Sequence, residues 1–95
     1  MAIEILFRSK WKVRILYVLR DGPVRIGRLQ RIFPQASKKV LTHSLRSLES
    51  NGIVERRDFS DLVLHVEYGF HPDLRESVCL LLDELAKWGE MFESL

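Results

Sequence analysis

Lys38, Lys39, Thr42, His43 and Arg46 recur at spacings of one, three, one and three. On a helix, that rhythm gathers them on one face. Their chemistry is donation to anions: a guanidinium gives two parallel N–H···O bonds, an ammonium gives a point charge, and hydroxyl and imidazole groups donate or accept. Such a set suits phosphate oxygens and the edges of bases. Arg46 is the best placed for a bidentate contact with a guanine, a contact of about 1–3 kcal/mol in discrimination. Further cations stand at Arg25, Arg56, Arg57 and His65, with Arg28 and Arg31 as weaker candidates.

The charge is divided along the chain. Residues 1–58 hold thirteen of the fifteen Lys and Arg against five acids, a balance of +8; from Phe59 onward two bases face eight acids, a balance of −6. A basic first part and an acidic last part imply that the first meets a polyanion and the second does something else. Catalysis finds no support. His43, His65 and His71 lack the i, i+4 spacing and clustered carboxylates of a metal site, and no glycine-rich phosphate loop, nucleophile elbow or Cys–His pairing occurs. No catalytic residue, metal or cofactor is expected. Cys79, the one cysteine, reads as a quiet buried thiol, and a reduced, cytoplasmic setting follows from it. No apolar run reaches the roughly 18 residues that cross a bilayer, so no membrane partner is expected.

The elements that must position these groups are legible. Trp11, Ile15, Val18 and Leu19 form a helical stripe over 10–20, with Lys10, Lys12, Arg14 and Arg20 off it, and Asp21-Gly22-Pro23 ends the helix. Val24 and Arg25 have room only for a short extended piece. Ile26, Leu29, Ile32 and Phe33 mark a second, short helix that must stop near Pro34. After the turn Pro34-Gln35-Ala36, Ser37 caps a third helix whose buried stripe is Val40, Leu41, Leu45 and Leu48, and Asn51-Gly52 closes it.

Two short helices about a tight turn, the second strongly amphipathic, make a helix-turn-helix. The period then changes to two: 53–57 reads as one strand, Phe59-Ser60-Asp61 as a turn, and 64–70 as the return strand, with Leu64, Val66, Tyr68 and Phe70 on one face and His65, Glu67 and Gly69 on the other. Such a hairpin is a wing.

His71-Pro72-Asp73 opens the last helix, along which Leu74, Val78, Leu81, Leu85, Trp88, Phe92 and Leu95 alternate at spacings of four and three. Leu80, Leu82 and Met91 widen this stripe beyond what so small a domain can cover, so a partner helix is expected, most simply a second copy. Trp11 and Trp88 read as core and interface anchors.

The fold expected is α+β, mainly α: one winged helix-turn-helix domain over 1–95, with 9–70 as the DNA-binding part and 1–8 and 72–95 as dimerisation segments. The dimer interface would be formed by Leu74, Val78, Leu81, Leu85, Trp88 and Phe92. Double-stranded DNA would meet Lys38, Lys39, Thr42, His43 and Arg46 in the major groove, and Arg25 and Ser37 at phosphates. Arg56, Arg57 and His65 would contact DNA from the wing. Adjacent strand residues point oppositely, so only one of the two arginines is expected to bind. Two other readings are a winged-helix protein-interaction module of a larger complex, which the basic face opposes, and a nonspecific chromatin-type DNA-binding protein.

Ser9-Lys10-Trp11-Lys12, Ile15-Leu16-Tyr17-Val18-Leu19 and Asp21-Gly22-Pro23 resemble the first helix of HxlR-type regulators, relatives of the MarR group. Leu41 to Glu49 followed by Asn51 to Arg57 is similar to their recognition helix and first wing strand, and His65-Val66-Glu67-Tyr68 to the return strand; Trp88-Gly89 also matches. The resemblance implies a homodimeric repressor or activator acting at promoters. The chain lacks the N-terminal cysteine that many members carry, so sensing of oxidants is not carried over; a small-molecule effector is not named by the sequence. Gly27 and the run Gly69-Phe70-His71-Pro72 also depart from the family's pattern.

Overall fold

The computed structural model describes residues 10–93, with side chains as far as 90. The expected dimerisation segment 1–8 and the side chain of Phe92 lie outside the described residues. Helix α1 (Lys10–Leu19) buries Trp11, Lys12, Ile15, Leu16 and Leu19. Leu16 takes the place expected of Val18, which is half-buried. Lys12, expected off the stripe, is buried instead, because a long methylene stem can cover apolar surface while its ammonium reaches outward. Gly22, at φ +131°, makes the turn after α1, its N–H donating to the Leu19 carbonyl.

Helix α2 (Ile26–Ile32) fully buries only Leu29, and Ile32 remains exposed. Phe33 ends it with its ring tilted against Trp11, centroids 5.6 Å apart. Ser37 caps helix α3 (Lys38–Ser50) as the sequence implies, its Oγ accepting from the Val40 N–H at 3.1 Å. The buried stripe of α3 is Leu41, Ser44, Leu45 and Leu48. Val40 is exposed, contrary to expectation: positions 41, 44, 45 and 48 complete an i, i+3, i+4, i+7 stripe by themselves, and Val40 falls about 40° beyond the edge set by Ser44. Gly52, at φ +76°, closes the helix.

Strands β1 (Val54–Asp58) and β2 (Val66–Phe70) pair antiparallel, with Arg56 opposite Tyr68. Val24 adds an isolated bridge on the other side of β2, exchanging hydrogen bonds with Tyr68 at 2.9 and 2.8 Å. This bridge explains Gly69: a Cβ there would sit 3.2 Å from Pro23, so the close approach of the 23–24 segment favours the smallest residue. The return strand is shorter than the alternation suggests. Phe59 N–H donates to the His65 carbonyl, and His65 N–H donates to Ser60 Oγ at 2.8 Å. These bonds close a loop over 59–65 and leave Leu64 exposed outside the ladder instead of on the core face.

His71 caps a 3-10 turn (Pro72–Leu74) through Nδ1, which accepts from the Asp73 N–H, and helix α4 (Arg75–Glu93) follows. Three polar contacts fix α4 on α1. Tyr17 donates to the Leu82 carbonyl at 2.9 Å, Arg20 pairs with Asp83 at 2.6 Å, and Arg75 donates to the Arg20 carbonyl at 2.8 Å.

So held, α4 divides its heptad stripe. Leu82 is buried at 1% exposure, and Val78, Cys79 and Leu85 pack against the same core, whereas Leu80, Leu81 and Trp88 face outward. Leu82→Ala is expected to cost about 2–5 kcal/mol of stability, measured by denaturant unfolding, because it opens a cavity at a closed site.

Candidate nucleic-acid interface

The buried stripe of α3 decides where its other face looks. With Leu41, Leu45 and Leu48 in the core, Lys38, Lys39, His43 and Arg46 are exposed and Thr42 is half-buried. Between α2, α3 and the sheet runs an open trough of about 1020 Å³, and its walls bring together Arg25, Lys38, Thr42, Arg46, Arg56 and His65. Lys39 and His43 share the outer face of α3 with Lys38, Thr42 and Arg46, lining a second concavity, so the donor face continues around the helix. Arg28, Arg31 and Gln30 line the trough from α2. Gln30 was not legible as a site residue: nothing in its type or spacing separates it from a solvated amide.

The two wing arginines part as strand alternation requires. Arg56 faces the trough, its guanidinium 3.7 Å from Asp58. Arg57 is not among the lining residues, and its Nε donates to Glu55 at 3.2 Å. Other expected contacts already have work within the fold. Ser37 Oγ holds the α3 cap. Arg25 donates to the Leu64 carbonyl at 3.1 Å, which braces the wing loop against the start of α2 and leaves further N–H groups of its fork. His65 Nε2 lies 2.6 Å from a Glu67 oxygen, and Phe59 packs edge-on to its ring. Glu67 is thus a site partner that alternation could have flagged, since residues two apart on a strand share a face.

Asp58 shapes the turn beside Arg56. Ser60 donates its backbone N–H to Asp58 Oδ1 at 2.8 Å. Hydrogen bonds from Ser60, with the Arg56 charge as the smallest contribution, hold the Asp58 carboxyl below its ordinary value of 3.8. No helix among the described residues is long and apolar enough to cross a membrane, and no group of three or more His, Cys, Asp or Glu among them is arranged to hold a metal.

A short helix, a tight turn, a second helix with a cationic outer face and a two-stranded hairpin beside it define a winged helix-turn-helix protein. The HxlR-like helix-turn-helix family model matches residues 6–95. The chain belongs to this family of transcriptional regulators.

It is 41% identical over 81 residues to the HTH-type transcriptional regulator YkvN of Bacillus subtilis, an alignment covering 85% of this chain and 68% of that protein. Among solved structures it is similar to the HTH-type transcriptional regulator YtcD, at TM-score 0.85 and 32% identity, covering 99% of this chain and 95% of that one. It is also similar to a MarR-family regulator from Enterococcus faecalis V583, at TM-score 0.83 and 33% identity, covering 98% and 86%. The chain spans about two thirds of the length of the curated relatives it matches.

The turn at Asp58 gives a pH test. Its folded pKa is depressed, so its bonds to Ser60 help the wing turn above the ordinary carboxyl range and are lost as pH falls through the lowered value. An NMR titration is expected to place the Asp58 midpoint below 3.8 and to return it toward that value in Ser60→Ala.

Proposed function

We propose that the chain is a homodimeric, sequence-specific double-stranded-DNA-binding regulator of transcription, acting in the cytoplasm. The observation that carries this reading is the trough, where cations from α2, α3 and β1 converge on the outer face of one helix. The N-terminal end of α3 enters the major groove, with Arg46 and Thr42 toward base edges and Lys38 and Lys39 toward phosphates. His43 adds a donor from the outer face. Arg25 and Arg56 meet the flanking backbone from either side, and Arg57 contributes less because it faces away with Glu55.

A second copy supplies the twofold. Leu81 and Trp88, with Leu80 beside them, are the outward apolar part of α4, and an aromatic anchor of this kind is what an isologous interface buries. Leu74, just before α4, and Val78 and Leu85 within it are half-buried and would border that interface. Two recognition helices then lie about 34 Å apart, and the preferred site is an approximate palindrome.

The test is fluorescence anisotropy with the protein's own upstream DNA and a shuffled duplex, at two salt concentrations. Tight, salt-sensitive binding that prefers the upstream duplex is expected. Equal binding to both would favour the chromatin-type reading, and no binding at low salt the protein-interaction module.

Arg46→Ala is expected to lose about 1–3 kcal/mol of preference at one base pair, read by competition with base-substituted duplexes. Arg56→Ala should reduce the salt slope by about one unit, while Arg57→Ala leaves it nearly unchanged. Leu81→Glu is expected to halve the mass seen in light scattering, while circular dichroism remains that of the folded chain.

A further inference from the structure

The wing tip has a composition unlike the trough beside it. Leu62, Val63 and Leu64 are 96%, 76% and 74% exposed, and Phe59 is also exposed. Contiguous apolar surface of this kind marks a contact site. Residues 58–64 contain no Lys or Arg and two carboxylates, Asp58 and Asp61. Asp58 is held toward its ionised form by Ser60, and Asp61 has no ion pair among the described residues. An acidic, apolar tip is poorly matched to a minor groove walled by phosphates. It matches a protein surface that is apolar within and basic at the rim.

The chain itself carries such a surface. Between α1 and α2 lies an open cleft of about 380 Å³, lined by Tyr17, Val18, Ile32 and Phe33, with Arg14 and Arg28 outnumbering Asp21 among its charged residues. Ile32 is exposed in a short helix that buries only Leu29. Arg14 stacks over Trp11 at 5.2 Å, and the Arg28 guanidinium has no ion pair among the described residues.

We propose that the wing tip of one molecule docks in the α1–α2 cleft of a second copy, Leu62 and Val63 entering the apolar floor and Asp61 meeting Arg28 at the rim. Tip and cleft are different surfaces, so the contact is heterologous and joins molecules head to tail, into a ring or an open chain according to whether its rotation closes. On DNA it would join neighbouring dimers into a cooperative array. That use rests on the DNA-binding reading above; the contact itself does not.

The experiment is sedimentation velocity without DNA, at concentrations up to about 1 mM, where weak contacts become populated. The wild type should form a species larger than the one present at low concentration. The double variant Leu62→Ser/Val63→Ser, whose changes fall on exposed side chains and leave the core intact, should lose it. Arg28→Glu should weaken the association roughly threefold to tenfold, and Asp61→Lys combined with Arg28→Glu should restore it.

A wild type that shows no larger species, or one that survives the tip variant, overturns the proposal. So does a tip variant that loses affinity for a single duplex without any change in sedimentation, which would make the tip a minor-groove wedge. Failure to bind DNA at all would remove the regulatory reading and leave the sedimentation result standing.

Discussion

The arrangement depends on the burial of one narrow stripe of α3. Leu41, Leu45 and Leu48 lie fully inside a core shared with Ile15, Leu16 and Leu19 of α1, Leu29 of α2, Val54 and Tyr68 of the sheet, and Leu82 of α4. Each such side chain is worth about 1.5–3 kcal/mol in removal from water. Rotating α3 about its axis by one residue would expose leucines and bury Lys38 or Arg46. The direction in which the donors point is therefore fixed by what lies behind them, and the cationic face needs no contacts of its own to stay presented.

The wing is fixed to that platform by polar means. Its strands are short, and a two-stranded hairpin by itself is marginal in water. Here β2 is paired on both sides, by β1 and by the Val24 bridge, while Arg25 ties the loop to the start of α2 through the Leu64 carbonyl. Gly69 permits the approach of Pro23 that the bridge needs. The link between α1 and α2 thus doubles as the edge that holds the hairpin, and Arg56 reaches the same trough as Arg46 because of it.

Helix α4 is held differently again. Tyr17 and Arg20 contact it at the Leu82 carbonyl and the Asp83 carboxylate, its own Arg75 donates back to the Arg20 carbonyl, and these contacts set its rotation about its own axis. With Leu82 turned inward, Leu81 and Trp88 are turned out. A continuous seam in the sequence becomes two surfaces, one inside the domain and one turned outward.

The sequence by itself determined the kinds of element and their order. Helical periodicity marked four helices, the Ser37 cap and Gly52 marked the bounds of the recognition helix, and the change of period after Gly52 marked the wing. Those signals are local: each depends on residues within a turn or two, so no knowledge of the rest of the chain is needed. The donor face of α3 was legible for the same reason, and so was the parting of Arg56 from Arg57.

What only the tertiary structure decided is the rotation and reach of each element. Ser44 in place of Val40, Leu16 in place of Val18, the buried stem of Lys12, the exposed Leu64 and the divided stripe of α4 all turn on which neighbour arrives from a distant part of the chain. A stripe wide enough for two faces does not say which one the domain will cover. That choice was made by Tyr17 and Arg20, which lie more than sixty residues from the groups on α4 that they hold.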